Sequence, residues 1–182
     1  VVALRRRLIK NYCCLLFLSN GTPMLTAGDE FMRTQHGNNN PYNQDNETSW
    51  IDWRLLDKNA DVFRFFQQMI AFRKAHPSLC RSRFWRDDVC WYGTGPQVNQ
   101  SPHSHTLAFY LHGASQNDTD LYVMINAGRD DTAFHIQREG TWKRVVDTSL
   151  ASPDDIAEPG HETPIDGADY LVRGRSVVVF IR

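Results

Sequence analysis

Two adjacent carboxylates, Asp29 and Glu30, are the first candidates for chemistry in this chain. They follow residues 23–28, an apolar run that we predict to be a short buried strand bounded by Pro23 and Gly28. Glycosidic bond hydrolysis commonly needs two carboxylates that face the bond together. Neighbouring side chains on a strand point to opposite faces, so this pair cannot easily flank one bond. We therefore predict that the two acids contact a substrate or brace the following loop, and that they are not the catalytic pair.

The stretch that follows, residues 29–56, is rich in side-chain amides and aromatic rings and is predicted to be a long ordered loop. Asn and Gln side chains both donate and accept hydrogen bonds, as sugar hydroxyls do. Aromatic rings suit the flat apolar faces of sugars. The alternative is that the asparagines only satisfy turns and that Trp50 and Trp53 fill a core. The predicted substrate contacts are Asp29, Glu30, Arg33, Asn38, Asn39, Asn40, Tyr42, Gln44 and Asp45.

Other kinds of catalytic or metal site are not indicated by the sequence. His103 and His105 lie in a polar stretch without an acidic third ligand close by, and no phosphate loop or dinucleotide fingerprint occurs. The four cysteines have neither zinc-site nor disulfide-framework spacing, which favours a reducing cytoplasm. We predict no cofactor, no metal and no catalytic residue within the chain.

Composition limits the classes of partner. The 182 residues carry a formal net charge of −1, so no basic field points to nucleic acid. The longest apolar run has the sequence YCCLLFL, far short of the ~20 residues that cross a bilayer, so no membrane partner is predicted. The hydrophobic content of 41% is typical of a folded globular protein.

Two helices are predicted in the first half of the chain. Residues 1–20 have helical periodicity, begin without an N-cap residue and are expected to start inside an element of a longer protein. A second helix is predicted over residues 60–75 and ends at His76–Pro77. The apolar face of the first helix is predicted to comprise Leu4, Leu8, Tyr12, Leu15 and Leu16.

After Pro77 the pattern changes to seven short β-rich runs separated by turn residues, which predicts an antiparallel sandwich. We place the boundary near residues 77–80. Before it, the order helix, strand, long loop, helix is compatible with the end of a (β/α) barrel, and the loop would then lie on the face where barrel enzymes build active sites.

One stretch carries a family resemblance. Residues 21–53, GTPMLTAGDEFMRTQHGNNNPYNQDNETSWIDW, closely resemble the end of the catalytic barrel in isoamylase-type debranching enzymes of the α-amylase superfamily. The preceding LRRRLIKNYCCLLFLSN resembles that family's helix before the eighth barrel strand, and MIAFRKAHPSL resembles its last barrel helix. The remainder is similar in layout to the family's C-terminal sandwich. Met32 departs from the family pattern, because a glycine is expected there.

The resemblance implies the fold class α/β plus all-β: the C-terminal end of a (β/α)8 barrel over residues 1–78, followed by an antiparallel β-sandwich over 79–182. It also implies hydrolysis, with retention of configuration, of α-1,6-glucosidic branch points in glycogen, amylopectin or limit dextrins. The family's three catalytic carboxylates lie on barrel strands four, five and seven, and the last belongs to a His-Asp motif that does not occur in this chain. We therefore expect the chain to be inactive alone.

Two other functions remain open at this point. One is a non-catalytic glucan-binding module that uses exposed aromatics of the sandwich, such as Trp85, Trp91 or Trp142. The other is a neighbouring activity of the superfamily, namely trehalose release or transglycosylation. Because residues 1–78 would lack most barrel neighbours, we also expect them to self-associate, to refold against the sandwich or to be poorly ordered.

Overall fold

A computed structural model describes all 182 residues and contains four α-helices and eight strands. The helices are α1 (Val2–Leu18), α2 (Arg54–Lys58), α3 (Ala60–Ala75) and α4 (Pro77–Cys80), and two short 3-10 helices span Asp29–Phe31 and Ala114–Gln116. The strands are β1 (Val89–Tyr92), β2 (Thr106–Leu111), β3 (Leu121–Asn126), β4 (Thr132–His135), β5 (Lys143–Asp147), β6 (Thr163–Pro164), β7 (Asp169–Val172) and β8 (Ser176–Ile181).

The strands form two antiparallel sheets. The larger has the order β1-β2-β3-β8-β5-β6, and the smaller pairs β4 with β7. Each of the seven β-rich runs contains a strand, so that prediction is confirmed. The two-residue β6 was not predicted, because it is too short to produce an alternating pattern.

The larger sheet is covered on both faces. Leu121 and Val123 of β3 lie in an apolar cluster with residues of α1 and α3, whereas Tyr122 and Met124 lie in a second cluster with Phe134 of the smaller sheet. Strands buried on both faces have continuous apolar sequences instead of alternating ones. This explains why β3 and β8 read as LYVMIN and SVVVFI.

The first helix forms as predicted, but its predicted buried face is wrong. Cys13, Cys14 and Phe17 are buried against the helical side of the core, whereas Tyr12 and Leu15 are exposed. Helix α1 is apolar on more than one side, so its periodicity cannot choose the face. Packing against α3 and β8 makes that choice.

The predicted strand at residues 23–28 is also wrong. These residues belong to neither sheet, and the Met24 side chain is 87% exposed. A strand needs a neighbour to accept and donate its ladder hydrogen bonds, and no other segment of the chain lies beside this one in a ladder.

Buried polar contacts join the helices to the sheets. The ammonium of Lys10 lies 2.5 Å from a carboxylate oxygen of Asp155, which is fully buried, and Arg64 donates to the other oxygen at 3.1 Å. Arg73 donates to the backbone carbonyls of Phe17 and Ser19, which fixes the end of α1 on α3. None of the helices has both the length and the apolar character required to cross a membrane.

Candidate functional site

The two candidate carboxylates lie in a tight turn and not at a strand end. Asp29 accepts a hydrogen bond from the Thr26 N–H at 3.2 Å, and Glu30 accepts one from the Gly28 N–H at 2.9 Å. Both side chains therefore fold back onto the backbone that carries them. They brace the start of the loop, as one of the two sequence-based alternatives expected.

Phe31 anchors the beginning of the loop to α3. Its side chain is fully buried, and its ring centroid lies 6.5 Å from that of Phe63 and 5.7 Å from that of Trp53. The buried Asn59 side chain donates to the Phe31 carbonyl at 3.0 Å. The loop therefore leaves the helical core from a fixed point.

Met32 occupies a backbone conformation that favours glycine. Its φ of 65° and ψ of 41° lie in the left-handed region, where a side chain is strained by roughly 1 kcal/mol or more. This is the position where the family pattern led us to expect glycine. The Met32 side chain is partly buried against the helical core, which offsets part of that strain.

Arg33 ties the two ends of the loop together. One of its terminal nitrogens donates to the Ser49 carbonyl at 3.2 Å. Its aliphatic part lies so close to Gly28, with φ of 97°, that a Cβ on that glycine would come within 2.8 Å of the Arg33 Cβ. The close approach requires glycine at position 28.

The three successive asparagines divide into two roles. The Asn38 side chain accepts a hydrogen bond from the Asn40 N–H at 2.9 Å, so it stabilises a turn, as the structural alternative expected. The left-handed positions nearby are instead occupied by His36 and Gly37. The exposed side-chain amides of Asn39 and Asn40 have no hydrogen-bond partner within the chain, which leaves them open to solvent or a ligand.

Apart from Phe31, the tyrosine and the tryptophans of the loop are exposed, so the alternative in which the tryptophans fill a core is wrong. Tyr42 is 94% exposed, and Trp50 and Trp53 are also exposed. The Trp50 indole N–H donates to Asp45 at 2.8 Å, which holds the ring in place. The backbone carbonyl of Gln44 accepts a hydrogen bond from the Ser49 hydroxyl, which stabilises the loop backbone.

Taken together, residues 29–53 form a loop whose base is braced and whose outer surface carries free amides and rings. Such a surface can hydrogen-bond to hydroxyls and stack on flat rings. It provides no pair of free carboxylates at a shared position, because Asp29 and Glu30 accept from the backbone and Asp45 accepts from Trp50. No cluster of three metal-ligating side chains occurs in the chain.

Sequence reasoning missed an apolar groove next to this loop. It has a volume of about 310 Å³ and lies between α1 and residues 24–33, with Tyr12, Leu16, Met24 and Met32 in its walls. The available signal was the second apolar stripe on α1, which the prediction assigned to the core.

The aromatic residues proposed for the sandwich are placed differently from the prediction. Trp142 is only 2% exposed, and its indole N–H donates to the Arg138 carbonyl at 2.8 Å. Trp85 is half-buried against Phe109, and Trp91 is the one exposed member of the three. The prediction of an exposed Trp142 is wrong, because that ring fills the core between the two sheets.

The most strongly perturbed titratable groups lie outside the loop. Burial raises the pKa of both Cys13 and Cys14 far above the ordinary value, as expected of cysteines that pack as small buried apolar residues. Burial raises the pKa of Tyr122 to about 12. For Asp120, burial acts to raise the pKa, but hydrogen bonds from the Gly113 N–H and from neighbouring side chains outweigh it and lower the pKa.

The known proteins that this chain is similar to in sequence are isoamylases and GlgX homologs. The family model described as "Isoamylase, C-terminal" matches residues 91–181. The chain is 36% identical to isoamylase 3, chloroplastic, of Oryza sativa subsp. japonica over 98% of its own length and 23% of that protein. It is 34% identical to the isoamylase of Flavobacterium sp over 100% of its length and 26% of that protein. A glycogen operon protein GlgX homolog of Mycobacterium bovis is 48% identical over 82% of the chain and 24% of that protein.

Solved structures agree with the fold. The pullulanase from Bacillus acidopullulyticus superposes with a TM-score of 0.75 at 26% identity, over 98% of this chain and 20% of that one. A pullulanase from Paenibacillus barengoltzii, solved in complex with maltohexaose and alpha-cyclodextrin, superposes with a TM-score of 0.73 at 28% identity, over 100% of this chain and 26% of that one.

The chain thus spans about a quarter of the length of each curated relative described above. Its antiparallel sheets match the C-terminal β-sandwich of debranching enzymes, and the family model covers strands β2 to β8 and the second half of β1. On these grounds the chain belongs to the isoamylase family and carries its C-terminal domain.

Proposed function

We propose that this chain is the C-terminal part of a debranching glycoside hydrolase that cleaves α-1,6-glucosidic branch points of α-glucans with retention of configuration. Membership of the isoamylase family supports the reaction class. Glycogen, amylopectin and limit dextrins are the substrates that this activity takes, and the cytoplasm is the proposed compartment.

The proposed division of the chain places residues 1–78 at the C-terminal end of a (β/α)8 barrel and residues 79–182 in the β-sandwich. The order of α1, an extended segment, a long loop and α3 supports it. The extended segment at residues 22–26 would be the eighth barrel strand, which pairs with neighbours that the chain itself does not provide. The apolar groove beside it is the surface that such neighbours would cover.

The single observation that carries the proposal is the outward surface of the loop at residues 29–53. Tyr42 and Trp50 are exposed although they are aromatic. The side-chain amides of Asn39 and Asn40 make no hydrogen bond within the chain. Internal hydrogen bonds fix the base of the loop, so little ordering is required when a glucan binds. We assign this loop to one wall of the glucan-binding cleft.

The chemistry itself requires residues outside the chain. A retaining glycosidase needs an acid and a nucleophile about 5 Å apart on either side of the bond. Asp29 and Glu30 accept hydrogen bonds from the backbone, and Asp45 accepts one from Trp50. Asp52 pairs with Arg54, so Glu47 is the one acid of the loop without a partner in the chain, and a single free carboxylate does not make the required pair. The chain therefore contributes substrate contacts and no catalytic group.

Two measurements on the purified chain test this proposal. Incubation with amylopectin followed by a reducing-end assay is expected to detect no hydrolysis, and clear release of reducing ends would overturn the assignment of catalysis to other residues. In native gels containing amylopectin, the chain is expected to be retarded, and Tyr42→Ala should reduce the retardation.

Tyr12→Ala is the matched control, because Tyr12 is also an exposed tyrosine but lies on α1 outside the loop. It is expected to leave retardation unchanged. An unretarded wild-type chain, or equal retardation of the wild type and Tyr42→Ala, would contradict the assignment of the loop as a cleft wall.

A further inference from the structure

A basic pocket lies where the first half of α1 meets the segment that follows β5. It has a volume of about 290 Å³ and is lined by Arg6, Arg7 and Lys10 of α1, by Asp61 of α3 and by residues 148–152. The pocket is separate from the loop described above and shares no lining residue with it. Nothing in the proposed glycosidase function uses it.

The pocket carries an excess of positive charge. Of the four ionic side chains in its wall, three are cations, and the single carboxylate, Asp61, is already paired with Arg6. Behind the wall, the buried Asp155 is shared between Lys10 at 2.5 Å and Arg64 at 3.1 Å. Partial burial limits the screening of this charge by water, so an anion in the pocket would be attracted more strongly than at an open surface.

The cations of the pocket also retain unused hydrogen-bond donors. Arg7 makes one hydrogen bond, to the Gly174 carbonyl at 3.1 Å, although a guanidinium has five N–H groups. The Lys10 ammonium makes one hydrogen bond, to Asp155, and has three N–H groups. Each side chain can therefore bind a further acceptor without giving up its present partner.

The opposite wall adds donors and no free carboxylate. The backbone N–H groups of Ala151 and Ser152 and the Ser152 hydroxyl have no partner within the chain. The nearby Asp147 is occupied, because one oxygen accepts from Ser149 and the other from Tyr170 at 2.9 Å. The pocket thus has donors on two sides, and its one lining carboxylate, Asp61, is paired with Arg6.

We propose that this pocket binds a phosphoryl group, either as inorganic phosphate or as the phosphate ester of a small sugar. A phosphoryl group carries nearly two negative charges at pH 7 and three acceptor oxygens, which matches two cations and several N–H donors. The planar fork of Arg7 suits such an oxygen pair. The volume is near the lower end of the range for small-molecule sites and leaves room for one sugar ring beside the phosphate.

Binding there would stabilise the contact between the helices and the sandwich. The donors come from α1 on one side and from residues 151–152 on the other, so a single anion would contact both parts. A ligand that binds only the folded state raises the free energy of unfolding by RT ln(1 + L/Kd), where L is the free ligand concentration and Kd its dissociation constant. The phosphate concentration would therefore set how firmly α1 is held on the sandwich.

Thermal unfolding and amide NMR of the whole 182-residue chain test the proposal. Inorganic phosphate is titrated against chloride at constant ionic strength and pH, and the unfolding midpoint is expected to rise with phosphate only. The amide signals of Ala151 and Ser152 are expected to shift in the same concentration range. Equal midpoints in phosphate and chloride, or unshifted amide signals, would overturn the proposal.

Arg7→Gln is expected to weaken phosphate binding about tenfold, the size of one lost charge-assisted hydrogen bond. The matched control is Arg5→Gln, because Arg5 lies exposed on the same helix and does not line the pocket. It should bind phosphate like the wild type. If Arg7→Gln does not fold, Ser152→Ala replaces it, and unchanged binding in the variant that is measured would refute the site.

A parallel titration with glucose 1-phosphate distinguishes the two sources of the phosphoryl group. Tighter binding than inorganic phosphate would assign the pocket to a sugar phosphate, and equal or weaker binding would assign it to inorganic phosphate. Failure of both ligands to bind would refute the proposal without affecting the proposed glycosidase function, which depends on the loop at residues 29–53.

Discussion

The helical half and the sheet half of this chain differ in how completely each covers its own apolar surface. Nine of the twelve large apolar side chains that are exposed belong to residues 1–70. The three in the remainder are Phe84, Trp91 and Leu171. The sheets form a closed unit, whereas the helical half presents apolar residues that only an additional partner would cover.

The difference follows from where the hydrogen-bond partners lie. Every strand from β1 to β8 finds an antiparallel neighbour within residues 89–181, so the sheets need no other chain. The extended segment at residues 22–26 finds none. The helices remain ordered because they pack on one face of the larger sheet and because buried ionic contacts fix them there.

The largest expected effect comes from breaking the contact between the two halves. Asp155→Ala should reduce the free energy of unfolding by about 3 to 5 kcal/mol, because it removes the hydrogen-bonded carboxylate of the buried Lys10 ammonium and leaves only Asp61, at 3.7 Å. Urea denaturation measures the loss. Hydrogen exchange should show α1 losing protection before β3.

The control for this variant is Asp154→Ala, which removes an exposed neighbouring carboxylate that makes no ion pair. It should leave stability within about 0.5 kcal/mol of the wild type. Equal protection of α1 in Asp155→Ala and in the wild type would show that apolar packing alone holds the halves together.

The next effect tests whether the sandwich core is closed. Trp142→Ala should cost about 3 to 4 kcal/mol, because the ring fills the space between the two sheets. Trp91→Ala should cost about 1 kcal/mol or less, because that residue is 47% exposed and lies outside the core between the sheets. Urea denaturation of both variants provides the comparison, and similar losses would contradict the burial difference.

A smaller effect concerns pH. Asp120 has a lower pKa in the folded state than in the unfolded state, where it is about 3.9. Its ionised form therefore stabilises the folded protein above the unfolded pKa. This contribution is lost as the pH falls through the pKa of the folded state. Asp120→Asn should therefore cost about 1 to 3 kcal/mol at pH 7 and progressively less below about pH 4. Stability measured by urea denaturation between pH 7 and pH 3 checks the trend.

Asp166→Asn is the corresponding control, since Asp166 is exposed and has no hydrogen-bond partner within the chain. Its stability difference from the wild type should stay near zero across the same range. A constant difference between the wild type and Asp120→Asn at every pH would contradict the linkage.

The smallest effect tests the loop in the helical half. Gly28→Ala should cost about 1 to 2 kcal/mol, because the residue has a left-handed φ and its Cβ would collide with Arg33. Gly95→Ala is the control, because a Cβ there meets nothing within 4 Å. Thermal unfolding compares the two, and an equal midpoint would show that the loop adjusts without cost.

Element types were largely predictable from the sequence. Helices α1 and α3 and the seven β-rich runs have strong local periodicity, and all of them form. The segment at residues 23–28 does not form a strand, because its apolar composition resembles one but no other segment lies beside it in a ladder. The two-residue β6 has no pattern to recognise.

The candidate site was predictable in composition but not in orientation. The amides and turn residues predicted a loop over residues 29–56, but the loop ends at residue 53 because α2 begins at Arg54. Hydrogen bonds inside the loop, such as Trp50 to Asp45 and the Gly28 N–H to Glu30, decide which side chains remain without a partner. The sequence pattern does not show these contacts. The basic pocket was not predictable at all, because Arg7 and Ser152 are far apart in sequence.

By itself, the sequence determined the two long helices, the seven β-rich strands, the antiparallel character of the second half and the family resemblance of residues 21–53. These depend on local periodicity and on short motifs, which are complete within a few residues. Only the tertiary structure decided which face of α1 is buried, that Trp142 fills a core while Trp50 is exposed, and that Lys10 meets Asp155. Burial depends on which segments become neighbours, and no local pattern specifies that.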